Sequence, residues 1–176
     1  LKVFRPSDMN ETLECWELAL LNDGPSAIIL SRQKLNYISK NINETNKSSF
    51  GAYQINITSH DSKVTLIASG SEVDLALDVQ NQLKSSNIES KVISMPCQEI
   101  FDNQPLDYRN KLIEPEGLVV SIEAGSVMCW KKYVSPKDIS IGIDNFGKSA
   151  PYKEIFNNFK LTSDNIVAII QEKIRN

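Results

Sequence analysis

The sequence has 176 residues, 41% hydrophobic and 23% charged, with a formal net charge of -3. That apolar supply builds the core of one domain, or of one domain and part of another. The acidic balance excludes electrostatic capture of nucleic acid or of an acidic membrane, and no apolar run in the sequence approaches the ~20 residues that span a bilayer.

Lys2-Val3-Phe4 reads as a strand that begins at once. With Leu1 rather than methionine in first place, the sequence is expected to be a piece of a longer protein. Asp8 and Glu11 have the spacing of a capping box, so a helix is predicted from Met9 to about Leu21, with Leu13, Trp16, Leu20 and Leu21 as its apolar stripe. Trp16 therefore reads as core. Asn22-Asp23-Gly24-Pro25 stops the helix, and Ala27-Ile28-Ile29-Leu30 reads as a short buried strand. Arg32 then projects from the carboxyl end of that strand. Open α/β sheets bind ligands beyond those ends, and an arginine fork suits a phosphate or a carboxylate.

From about Gln33 to Ser62 the sequence is polar and lacks periodicity, as linkers do, although Phe50 to Ile55 can add a short edge strand. His60, the single histidine, reads as a solvated loop residue. A self-contained pattern begins at Val64. Strands are predicted at Val64–Ala68, Lys91–Met95, Leu118–Ile122 and Ile139–Ile143. Between them come a helix carrying Leu75, Ala76, Val79 and Leu83 on one face, a loosely helical stretch from Gln98 to Leu112, and a short helix from Met128 to Val134. Thr162 caps a last helix with Ile166, Val167, Ile169, Ile170 and Ile174 on its apolar face. The fold class is α/β: three layers around a mainly parallel sheet, preceded by a strand–helix–strand remnant of a second α/β domain. Trp130 is weighed first as core and second as a subunit contact, where aromatics are enriched.

Cys15, Cys97 and Cys129 are widely separated and form neither a disulfide framework nor a zinc pattern. Reduced thiols in the cytoplasm are the expected state. Ser69-Gly70-Ser71-Glu72 lacks the full dinucleotide fingerprint and reads as a tight turn from strand to helix. Glu72 and Glu123 can meet at the strand ends, but an acid/base role is set aside because no nucleophile or metal partner accompanies them. Phe146 to Pro151 reads as a structural turn with Lys148 solvated and Pro151 opening a helix.

Six strings follow one another in order: Arg5-Pro6-x-Asp8-x-x-Glu11, Gly24-Pro25-x-Ala27-x-x-Leu30-Ser31-Arg32-Gln33, Ala68-Ser69-Gly70-Ser71-Glu72-Val73, Ser94-Met95-Pro96, Val120-Ser121-Ile122-Glu123-Ala124-Gly125 and Phe146-Gly147-x-Ser149-Ala150-Pro151. Together they resemble the C-terminal third of transketolase. The resemblance implies that residues 1–36 end the domain that cradles the thiamine pyrimidine ring, 37–62 are a linker, and 63–176 are the C-terminal α/β domain. It implies an enzyme that moves a two-carbon ketol unit between ketose and aldose phosphates in the pentose phosphate pathway. Such an enzyme is a homodimer using thiamine diphosphate with Mg or Ca. In the family, the arginine of the Leu-Ser-Arg-Gln string binds the sugar phosphate, and that role falls to Arg32. The family's metal-binding pattern, catalytic glutamate and histidine set lie upstream of this sequence. The resemblance thus implies one substrate contact here, no catalytic, cofactor-binding or metal-binding residue, and an inactive fragment. Alternatives are the same domain from deoxyxylulose-phosphate synthase or the pyruvate dehydrogenase beta subunit, or a non-catalytic module for assembly or a regulatory anion.

Overall fold

The computed structural model describes residues 1–38, 45–55, 62–114 and 116–175. His60 and residues 39–44 of the polar stretch lie outside the described residues. The chain opens with strand β1 (Lys2–Phe4), helix α1 (Met9–Leu20) and strand β2 (Ser26–Ile28). β1 and β2 pair in parallel as a sheet of their own. After a 3₁₀ turn at Lys47–Phe50 come β3 (Tyr53–Gln54), β4 (Val64–Ala68), α2 (Glu72–Ser85), β5 (Ser90–Ser94), α3 (Gln98–Asp102) and α4 (Leu106–Leu112). The chain ends with β6 (Leu118–Ile122), a 3₁₀ turn at Val127–Trp130, β7 (Ile139–Ile141), α5 (Tyr152–Asn158) and α6 (Ser163–Arg175).

These strands form one sheet in the order β3-β5-β4-β6-β7, parallel except for the short edge strand β3. Side chains alternate across a strand, and both faces are covered. Val64, Leu66, Val92, Val120 and Ile122 meet Val73, Ala76, Val79 and Leu83 of α2 and Ile166 and Ile170 of α6. Ile67, Ile93 and Val119 point the other way, onto Phe101, Met95 and Trp130. Each fully buried Val, Leu, Ile, Met or Phe among them contributes about 1.5–3 kcal/mol. This is the predicted mainly parallel three-layer architecture. The predicted α6 face holds through Ile170, whereas Ile174 is exposed in the last turn, beyond the sheet. Gly51 adopts φ 77°, and a Cβ there would lie 2.2 Å from the backbone nitrogen of Phe101, so only glycine lets this loop touch α3.

α1 is where the packing departs from the sequence pattern. Asp8 caps it as predicted, its Oδ1 accepting from the Glu11 backbone N–H at 2.8 Å. The reciprocal arm is redirected: Glu11 Oε2 accepts from the Ser7 N–H, while Oε1 accepts from the hydroxyls of Ser94 at 2.6 Å and Tyr53 at 2.8 Å. The buried face of the helix is thus Glu11 and Cys15, packed toward Phe4 and Cys97. The predicted stripe points outward. Leu13, Trp16, Leu20 and Leu21 are exposed, and Trp16 is not core. Ile29 and Leu30 are exposed as well, because no layer covers the outer side of the two-stranded sheet. Trp130, conversely, is fully buried rather than available to a subunit contact.

Candidate functional site

β4 lies between β5 and β6, so the chain steps from β4 to one side and then crosses back to the other. In open α/β sheets such a reversal opens a crevice at the carboxyl ends of the strands, the usual ligand position. Here the crevice lies between the turn after β4, Ser69 to Glu72, and the turn after β6, Glu123 to Gly125. Gly70 makes the first turn possible with φ 58°.

The crevice is filled by the chain itself. Arg5, one residue beyond β1, donates to Glu72 Oε2 at 2.9 Å and to Glu123 Oε2 at 2.6 Å. The Trp130 indole N–H also donates to Glu123 Oε2, at 3.0 Å. The Glu72 and Glu123 side chains are almost fully buried, and that of Arg5 is 30% exposed. Burial works against charge on Arg5, but the hydrogen bond to Glu123 and the attraction of both carboxylates outweigh it and raise its pKa. Burial also raises the pKa of Glu72, with the Ser71 hydroxyl and Arg5 pulling it down. The two glutamates do meet at the strand ends. Their partner is an arginine, so they form a structural ion triad.

Arg32 lies above this plug. It lines a cleft of about 290 Å³ together with Leu30, Ser31, Arg5, Gly70, Ser71 and Tyr152. Its side chain is exposed and takes part in none of the ion pairs found among the described residues. One arginine at the rim is therefore spent on its own chain, and one is available. Sequence reasoning missed Arg5, although the signal that singled out Arg32, an arginine just past a strand's carboxyl end, applies equally to it. Lys148 stands apart from the cleft lining and donates to Asn158 at 2.9 Å on the surface. Among the described residues no group of three His, Cys, Asp or Glu could hold a metal ion. Cys15 and Cys97 are buried thiols, and Cys129 is an exposed one.

The family model described as the transketolase-like C-terminal domain matches residues 51–162. A transketolase from Buchnera aphidicola is 43% identical over 177 residues, covering 99% of this chain and 26% of that protein. The solved transketolase of Campylobacter jejuni superposes with a TM-score of 0.86 at 35% identity, covering 97% of this chain and 26% of that one. A Pichia stipitis transketolase solved with sedoheptulose 7-phosphate gives 0.88 at 29% identity, covering 99% and 25%. The chain spans about a quarter of the length of these transketolases. With its mainly parallel sheet and these matches, the chain belongs to the transketolase family.

Proposed function

We propose that these residues form the C-terminal portion of a transketolase, with residues 1–36 completing the pyrimidine-binding domain, 37–62 linking, and 63–176 forming the C-terminal domain. The whole enzyme transfers a two-carbon ketol unit between ketose and aldose phosphates in the cytoplasm, as a homodimer. The observation that carries this reading is Arg32: an exposed guanidinium without an ion-pair partner among the described residues, at the mouth of the cleft above the carboxyl ends of β4 and β6. A phosphate dianion calls for a planar, permanently charged, bidentate donor. Arg32 holds the sugar's phosphate end and so fixes the distance from there to the reacting carbons. The sugar phosphate in the Pichia stipitis structure is a ligand of this class.

The described residues do not gather ligands for the metal of a thiamine diphosphate site. A diphosphate-bound metal needs free carboxylate or carbonyl oxygens, and the two best-placed carboxylates, Glu72 and Glu123, are both held by Arg5. The chain's own contribution is substrate positioning and assembly surface.

Kinetics of the full-length enzyme with Arg32→Ala test this. Losing a charge-assisted pair costs about 1.5–3 kcal/mol, or roughly 10–150-fold in KM for phosphorylated substrates. Arg32→Lys is expected to fall between, and an unphosphorylated ketose is expected to be unaffected. Equal losses on both substrate classes would make Arg32 structural. Transfer from xylulose 5-phosphate to ribose 5-phosphate separates transketolase from deoxyxylulose-phosphate synthase and pyruvate dehydrogenase.

A further inference from the structure

A second cavity, of about 320 Å³, lies at the opposite end of the sheet from the Arg32 cleft. Val119, near the start of β6, and Asp138, just before β7, place it toward the amino ends of those strands. α4 contributes Leu106, Arg109 and Ile113 to its wall, and Phe101, Lys132 and Tyr133 border it as well. The lining mixes apolar and polar side chains.

Arg109 is the unexplained group. Its Nε is buried and has no hydrogen-bond partner among the described residues. It takes part in none of the ion pairs among the described residues. Both carboxylates in the cavity wall are committed elsewhere. Asp102 accepts from Lys132 and from the Tyr133 hydroxyl at 2.7 Å. Asp138 accepts from the backbone N–H groups of Val119 at 3.0 Å and Ser135 at 2.8 Å, and from the Ser135 hydroxyl. An arginine cannot shed its charge, and a buried N–H without an acceptor is costly. A permanent cation in the wall of a partly apolar cavity, without an ion-pair partner among the described residues, is the complement of a small anion with an apolar body.

The two carboxylates decide which anion. Asp102 and Asp138 would repel a phosphate dianion more strongly than a singly charged acid. We propose that this cavity binds a small monocarboxylic acid, its carboxylate on Arg109 and its apolar body against Phe101, Leu106 and Ile113. The site is separate from the substrate cleft and does not depend on the reading of Arg32.

The probe is 3-phenylpropanoate, titrated into the protein and followed by calorimetry and by methyl NMR of Ile113 and Val119. Saturable one-to-one binding is expected, with shifts confined to the cavity. Arg109→Gln should weaken it at least about tenfold, the scale of a lost charge-assisted pair. Arg109→Lys, which keeps the charge without the fork, should lie between and covers the case in which the glutamine variant does not fold. The neutral 3-phenylpropan-1-ol should not bind. Equal binding of the alcohol, undiminished binding by both Arg109 variants, or no saturation with the acid would overturn the proposal. So would displacement of the acid by inorganic phosphate at lower concentration.

Discussion

Arg5 and Arg32 stand just past the carboxyl ends of two paired parallel strands, yet their surroundings give them opposite roles. Arg5 reaches two nearly buried carboxylates and closes the crevice between β4 and β6, whereas Arg32, further from its strand, pairs with none among the described residues. The same contrast governs Glu11. It looks like half of a capping box, but its carboxylate gathers a backbone N–H and two hydroxyls from three separate segments, and it is wholly enclosed. Burial raises its pKa above the ordinary glutamate value, against the hydrogen bonds from Ser94, Ser7 and Tyr53 that lower it. The folded state therefore keeps this proton to higher pH than the unfolded state does. Its stabilising contribution is full below the ordinary glutamate range and is lost as pH rises through the raised value, at a slope of up to about 1.4 kcal/mol per pH unit. Glu11→Gln has no proton to release there. Urea unfolding from about pH 4 to pH 7 should show the native protein losing stability relative to the variant as pH rises. A constant offset between the two would mean that Glu11 ionises in the fold as readily as in water. Any fixed penalty from substituting an amide does not affect that slope.

At the scale of elements, α1 docks by its polar side and leaves its apolar stripe uncovered. Leu13 is 59% exposed and Leu20 77% exposed. The double substitution Leu13→Glu, Leu20→Lys should leave the urea midpoint of the 176-residue chain within the error of a surface change, about 0.5 kcal/mol, and lower its tendency to self-associate in sedimentation velocity. In the full-length enzyme the same pair should destabilise by several kcal/mol, because there the stripe is expected to be covered. A large loss of stability in the short chain would show that the stripe already packs within it. The elements that were legible in the sequence share one property. Val64–Ala68 and Leu118–Ile122 are apolar-rich runs and Ser90–Ser94 carries the apolar pair Val92-Ile93; all three lie between turn signals and are covered on both faces by their own chain. α1 was legible as an amphipathic helix, but periodicity says which side is apolar and not which body covers it. The Arg5–Glu123 pair spans 118 positions, and the Glu11–Ser94 bond spans 83. Contacts that distant leave no local pattern, so the triad and the Glu11 hub emerge only from the fold. Trp130 was undecidable for the same reason, since the cluster that encloses it draws on Ile67 and Ile93, far away in the sequence.

For the whole molecule, the question is how much chemistry a quarter of a transketolase can carry. The sheet from β3 to β7 has a core on both faces, so folding and reaction need not depend on the same residues. The crevice at the carboxyl ends of β4 and β6 is plugged by Arg5, and the described residues bring no metal-ligating group together. An arginine that holds a phosphate contributes binding energy, which accelerates transfer only when the reacting carbons are held against a cofactor elsewhere. The isolated 176 residues are therefore expected to give no ketol transfer from xylulose 5-phosphate to ribose 5-phosphate and no calorimetric signal with thiamine diphosphate and magnesium. The full-length enzyme should give both. Adding this chain to an enzyme lacking its own C-terminal portion should restore turnover to the extent that the two parts associate, and that restored activity should fall with Arg32→Ala. Tight magnesium-dependent binding of thiamine diphosphate by the isolated chain would contradict the division of labour and would move the cofactor site to these residues.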